Sequence, residues 1–195
     1  MNICVYGASS DAIDKDFILA GELLGEEIAK RGHTLVFGAG ARGLMGAAAR
    51  GATRYGGKTI GVAPLFFSAD GILFEDTSQL IRTSGMHERK KILEDLSDAF
   101  IMAPGGIGTF DEFFEVLTLK QLARHQKPIT ILNTKGYYDD ILALMKKLVD
   151  GNFMREESLN LYKAAATPAE ILDYIESYTP VATDLAHMKH LGISK

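Results

Sequence analysis

Residues 99–112 read AFIMAPGGIGTFDE. The segment begins with an unbroken apolar run, residues 99–103, too short for a helix. It lacks polar alternates, as a strand covered on both faces requires. Pro104 closes the run. Three glycines within four positions, Gly105, Gly106 and Gly108, form the loop that follows, and residues 109–124 read as a helix. Strand, glycine loop and helix make up one half of a βαβ unit, and the same alternation extends on both sides. Upstream, residues 3–6 read as a strand. Phe17, Ala20, Leu24 and Ile28 then recur at helical spacing until Gly32. Strands over 34–37 and 58–63 flank an alanine-rich helix over 44–55, and a further helix covers 86–97. Downstream come a strand over 129–132, a helix over 138–150, and a last helix with Pro168 in its first turn running to about residue 178. Residues 65–85 carry no clean period and are expected to form a long irregular connection with a short strand near 80–82. The pattern predicts an α/β fold: a doubly wound, mainly parallel, Rossmann-like sheet with helices on both faces. A single nucleotide-binding domain is expected over 1–178, with a frayed C-terminal tail over 179–195 that carries His187 and His190.

Bulk properties narrow the function. Of 195 residues, 47% are hydrophobic and 24% charged, and the net charge of -4 provides no broad basic footprint, so no nucleic-acid partner is expected. No run approaches the ~18 apolar residues of a membrane span, so no membrane partner is expected. The N-terminus lacks a basic segment followed by a long apolar core. The lone cysteine, Cys4, lies in the first apolar run and reads as packing in a reducing compartment. A cytoplasmic location is expected. The histidines form no ligand-spaced set, and Lys91 stands where an H-E-x-x-H motif starting at His87 needs its second histidine, so no metal is expected.

In doubly wound sheets, ligands bind beyond the carboxyl ends of the strands. Glycine-bearing loops follow Tyr6, Phe37 and Ala103. In the last of these, glycines let backbone N–H groups approach an anion, and the helix start adds free donors and a positive dipole end. Thr109 offers a hydroxyl there. Thr109-x-x-Glu112 also matches a capping box, which would explain both residues as helix-start chemistry. Glu112 projects close to any ligand on the loop, and Glu115 lies one turn further. Arg89, Lys90 and Lys91 crowd a helix start, where cations are disfavoured unless an anion is near. Residues 38–43, GAGARG, match the G-x-G-x-x-G pattern of a dinucleotide-dependent oxidoreductase. The third strand, however, ends Gly61-Val62-Ala63-Pro64 without the acid that such sites use to hold ribose.

Taken together, Pro104-Gly105-Gly106-Ile107-Gly108-Thr109-x-x-Glu112, Met86-His87-Glu88-Arg89-Lys90, Gly43-Leu44-Met45-Gly46 and Gly136-Tyr137-Tyr138 resemble the motifs of the Lonely guy (LOG) family, often labelled lysine decarboxylases. The resemblance covers residues 3–150. It implies cytokinin riboside 5′-monophosphate phosphoribohydrolase activity: a nucleoside 5′-monophosphate is cleaved to free base and ribose 5-phosphate, without a cofactor, by a homodimer. It puts Arg89 and Glu112 in the catalytic positions and Gly105, Gly106, Ile107, Gly108 and Thr109 in the phosphate-binding loop. Lys90 and Thr118 would also approach the substrate. Ala39 departs from the family pattern by replacing the middle glycine of a triplet, as does Leu65, which follows Pro64 where many members carry a basic residue. The divergent 65–85 segment is expected to line the base side of the pocket. The alternative is a non-catalytic nucleotide or cofactor carrier of the same fold.

Overall fold

The computed structural model describes residues 1–180, so the expected tail lies outside the described residues from position 181 on, with His187 and His190. Among the described residues seven strands form one sheet: β1 (Asn2–Tyr6), β2 (Thr34–Phe37), β3 (Thr59–Pro64), β4 (Gln79–Thr83), β5 (Ala99–Met102), β6 (Ile129–Leu132) and β7 (Lys163–Ala165). Every pairing is parallel and the order is β4-β3-β2-β1-β5-β6-β7. Six α-helices accompany them among the described residues, five between strands and one after the last: α1 (Lys15–Lys30), α2 (Gly43–Arg54), α3 (Met86–Leu96), α4 (Ile107–Gln121), α5 (Asp139–Asp150) and α6 (Pro168–Ser177). The expected doubly wound α/β architecture is present, and the short strand expected near 80–82 is β4. Strand β7 was not foreseen, because Lys163-Ala164-Ala165 is too short and too weakly apolar to register as a strand. It pairs with β6 through Thr130, Ile131 and Leu132.

Alternation along the strands divides the core. Ile3, Val5, Leu35, Phe37 and Ile101 face α1, α2 and α6. Cys4, Tyr6, Val36, Phe100 and Met102 face α3, α4 and α5. Both faces are covered, which is why these strands read as unbroken apolar runs. Cys4 is fully buried, as expected for a packing residue. Among the described residues no helix is long and apolar enough to cross a membrane.

The order of strands also places the site. From β1 the chain winds one way through β2, β3 and β4, then returns to the other side of β1 with β5. The connections leaving β1 and β5 run to opposite faces and leave a crevice between them at the carboxyl edge. Close packing of α1 on α2 carries the start of α2 to that edge. A Cβ on Gly25 would lie 1.9 Å from the Ala48 carbonyl oxygen, and one on Gly51 would lie 2.1 Å from that of Glu22.

Candidate active site

A cleft of about 570 Å³ opens at this crevice, within the usual range for small-molecule sites. Gly7, Ala8 and Ser9 approach it from β1, Gly38, Gly40 and Arg42 from β2, and Met86 and Arg89 from α3. Residues 106–109, Asp111 and Glu112 complete its α4 side.

Arg89 and Glu112 meet at its floor. Arg89 Nη1 donates to Glu112 Oε1 at 2.6 Å, and Arg89 Nε donates to the Val62 carbonyl at 3.1 Å. Both residues are buried, Arg89 at 6% exposure and Glu112 at 9%. The guanidinium is wedged between β3 and β2, with Nη2 against Gly38. Burial pushes the Glu112 carboxyl above the usual glutamate range, and Arg89 offsets this only in part. The result is a desolvated acid bonded to a planar guanidinium that is itself anchored on the Val62 carbonyl.

Helix α4 begins at Ile107 with Gly106 at its N-cap, and no side chain caps it. The capping box suggested by Thr109 and Glu112 is therefore not formed: the helix starts too early, and Glu112 turns inward to Arg89. The first bond of the helix ladder runs from the Phe110 N–H to the Gly106 carbonyl. The amides of Ile107, Gly108 and Thr109 are left as donors at the cleft. A Cβ on Gly106 or Gly108 would meet nothing within 4 Å, so open space faces this loop. Gly105 differs. A Cβ there would lie 2.1 Å from Thr109 Oγ1 and 3.0 Å from the Ala8 amide nitrogen. Its role is to let the Thr109 hydroxyl and the β1 loop close in. The N-cap residues of α2 and α3, Arg42 and Gly85, likewise make no capping bond through their own side chains, although Asp11 takes the first amide of α2.

The structure thus brings together Arg89, Gly106, Ile107, Gly108, Thr109 and Glu112. Lys90 and Thr118 lie elsewhere. Successive residues on α3 point in different directions, so Lys90 leaves the cleft and pairs with Asp111 and Glu115, each at 3.1 Å. Lys90, Thr118 and Glu115 line a shallow groove on the outer face of α4. Lys91 pairs with Asp95.

The 65–85 connection does reach the cleft, which Phe67 and Ile72 line together with Met45 and Met86. Bonds from the Ala41 N–H to the Ile72 carbonyl and from the Phe74 N–H to the Ala39 carbonyl, both 2.9 Å, zip it to the β2–α2 loop. Arg82 Nη2 holds the carbonyls of Leu65 and Phe67 at 3.0 and 3.2 Å. Sequence reasoning named no residue of the β1 loop, and did not assign Met45, Phe67 or Ile72 to the site. Only the glycine at the end of β1 hinted at the first of these.

Residues 45–175 match the protein family described as "Possible lysine decarboxylase". The chain is 36% identical over 178 residues to cytokinin riboside 5′-monophosphate phosphoribohydrolase LOG of Oryza sativa subsp. japonica, covering 91% of this chain and 74% of that one. It is 34% identical over 179 residues to the corresponding LOG5 protein of Arabidopsis thaliana, covering 92% and 79%. The chain belongs to the LOG family. Among solved structures, the Moco carrier protein of Chlamydomonas reinhardtii superposes with a TM-score of 0.69 at 26% identity, covering 90% of this chain and 94% of that one.

Within the LOG family pattern, this chain's Ala39 is informative. It is fully buried at φ +60°, a left-handed conformation that disfavours a side chain. The Gly38–Gly43 segment, which suggested dinucleotide binding, is tied to internal packing: Gly38 against Arg89, Gly40 against Met45, and the Gly43 N–H on Asp11 Oδ1 at 2.7 Å.

Proposed function

We propose that the protein hydrolyses the N-glycosidic bond of a nucleoside 5′-monophosphate, a cytokinin riboside 5′-monophosphate or AMP, releasing free base and ribose 5-phosphate. The observation that carries this reading is the buried Arg89–Glu112 pair set beside the uncapped, glycine-rich start of α4. Names of family relatives point the same way. The 5′-phosphate sits on the free amides of residues 106–109, so that remote binding energy aligns the sugar over the acid. Breaking the bond from C1′ to the base builds positive charge on the C1′–O4′ unit. The Glu112 carboxylate stabilises that charge, as carboxylates do in glycoside hydrolysis. Water supplies the hydroxyl to C1′ and the proton to the departing base. Arg89, bound to Val62 and Glu112, keeps the acid ionised and oriented. Met45, Phe67, Ile72 and Met86 offer the apolar surface for the base. No cofactor enters this scheme.

We assign a homodimer, formed through the outer face of α4. Ile107 is 86% exposed there, and Phe110, Phe114 and Leu119 line the adjoining groove with Lys90 and Thr118. Since Ile107 borders both cleft and groove, a second copy docked there would stand beside the substrate. An unpaired thiol, Cys4, suits a reducing compartment, and we place the reaction in the cytoplasm.

The test is to incubate wild type and Glu112→Gln with AMP and its N6-isopentenyl derivative and to separate the products. Free base and ribose 5-phosphate from wild type alone support the hydrolase. Tight nucleotide binding with no free base would favour a carrier, the reading suggested by the likeness to the Chlamydomonas reinhardtii protein.

A further inference from the structure

We infer that Tyr137 is a positioning residue for the phosphate-binding loop: by donating to the Gly105 carbonyl, its hydroxyl turns the Gly106 N–H into the cleft. The inference rests on the hydrolase reading for its kinetic consequence, but its geometry is independent of it. Tyr137 Oη lies 2.9 Å from the Gly105 carbonyl oxygen, 32 residues away in sequence. In a planar trans peptide the carbonyl and the following N–H point in opposite directions. Holding the Gly105 oxygen on the tyrosine side therefore aims the Gly106 N–H the other way, towards the open space beside Gly106. Two consecutive glycines have ample freedom to flip the peptide between them. The tyrosine hydroxyl opposes that flip.

The neighbouring peptides are held by other groups. The Pro104 carbonyl accepts from the Ala8 N–H at 3.0 Å. The Tyr138 hydroxyl donates to the Ala103 carbonyl at 2.8 Å. The carbonyls of three successive residues, 103 to 105, are thus each fixed from outside the loop, the last of them by Tyr137. Gly105, although part of the motif, does not line the cleft, because the Thr109 side chain and the Ala8 amide close in on it.

The turn that delivers the two tyrosines is itself heavily constrained. Lys135 and Gly136 stand at φ +56° and +71°. The Asn133 side chain accepts from the Tyr138 N–H and donates to Asp139, each at 2.7 Å. Lys135 Nζ reaches Asp14 and Asp16 at the start of α1, at 3.0 and 2.7 Å. The Phe17 ring meets the Tyr137 ring edge-on at 5.2 Å between centroids. A non-glycine residue in the left-handed region persists where its surroundings over-determine it, and such strain gathers at functional sites. Here the strained turn places two phenolic hydroxyls behind the phosphate loop.

Tyr137→Phe removes the hydroxyl and keeps the ring against Phe17. Ribose 5-phosphate affinity is measured by calorimetry for both proteins. KM and kcat are then measured for AMP, and kcat/KM for adenosine, with melting temperatures recorded. The expected result is about fivefold weaker ribose 5-phosphate binding, a matching rise in KM for AMP with little change in kcat, and a fall in the AMP-to-adenosine ratio of kcat/KM. The melting temperature stays within about 2 °C. Unchanged ribose 5-phosphate affinity, or equal losses on AMP and adenosine with a lowered melting temperature, would overturn the inference. If wild type releases no base, the hydrolase reading fails, while calorimetry still decides the role of Tyr137.

Discussion

Gly38 and Arg89 occupy one another's space. The Cβ that an alanine would add at position 38 lies 1.9 Å from Arg89 Nη2, closer than any non-bonded contact allows. The guanidinium that holds Glu112 is in place because residue 38 has no side chain. Gly38→Ala should push Arg89 off Glu112 and lower kcat by about 100-fold, the usual cost of a displacement near 1 Å in a catalytic group. Gly106→Ala is the contrasting case. Its Cβ meets nothing within 4 Å, so the variant should fold normally while its methyl group occupies phosphate space. KM should rise about tenfold with the melting temperature unchanged. Steady-state kinetics and thermal melts on the two variants separate these outcomes.

Glu112 provides a pH signature. Its carboxyl lies above the ordinary glutamate value of 4.5, chiefly through burial. The ionised form is the active one in the proposed chemistry, so kcat/KM should fall as pH drops through this raised value. The acid limb should therefore lie above pH 4.5 and be absent from the residual activity of Glu112→Gln. That variant should lose at least about 100-fold in kcat. A wild-type acid limb at or below 4.5 would count against Glu112 as the titrating group.

Arg89→Ala would strand the Glu112 carboxyl in a dry site without its partner. Loss of one member of a buried pair costs about 3–5 kcal/mol, and the acid limb should move further up. Arg89→Lys keeps the charge but cannot reach Val62 and Glu112 with the same planar fork. It should retain more stability than Arg89→Ala while remaining a poor catalyst. Denaturant titration and pH–rate profiles check both.

His125 should govern part of the acid sensitivity of the fold. Its Nε2 lies 2.9 Å from the Val116 carbonyl, and its Nδ1 accepts from the Lys127 N–H at 3.2 Å. The ring is therefore held neutral, with its proton on Nε2, and burial lowers its pKa from 6.5 to about 4. A folded-state pKa below the unfolded one contributes stability above pH 6.5. That stability is lost as pH falls through about 4. In His125→Gln the decline in melting temperature between pH 7 and pH 4 should be shallower than in wild type.

The outer face of α4 is the proposed dimer contact. Phe114→Asp should leave the fold intact, since Phe114 is only partly buried, and should yield monomers in light scattering. A dimer unaffected by this change would place the interface elsewhere.

What the sequence by itself determined follows from local periodicity. Apolar runs of strand length separated by helical spacing specify a parallel sheet covered on both faces, and three glycines before a helix specify an anion-binding loop. The pairing of Arg89 with Glu112 was indicated only through family resemblance, since no spacing rule links residues on two helices. The capping-box pattern at Thr109 and Glu112 misled because local chemistry could not foresee that a buried guanidinium would draw Glu112 inward. Tertiary structure alone decided the rest. It turned Lys90 and Thr118 away from the cleft, gave Gly105 to packing, and brought Phe67, Ile72 and Tyr137 to the site. The physical reason is that a side chain's direction depends on which face of its element meets the core. Long-range contacts set that face, and no short stretch of sequence contains them.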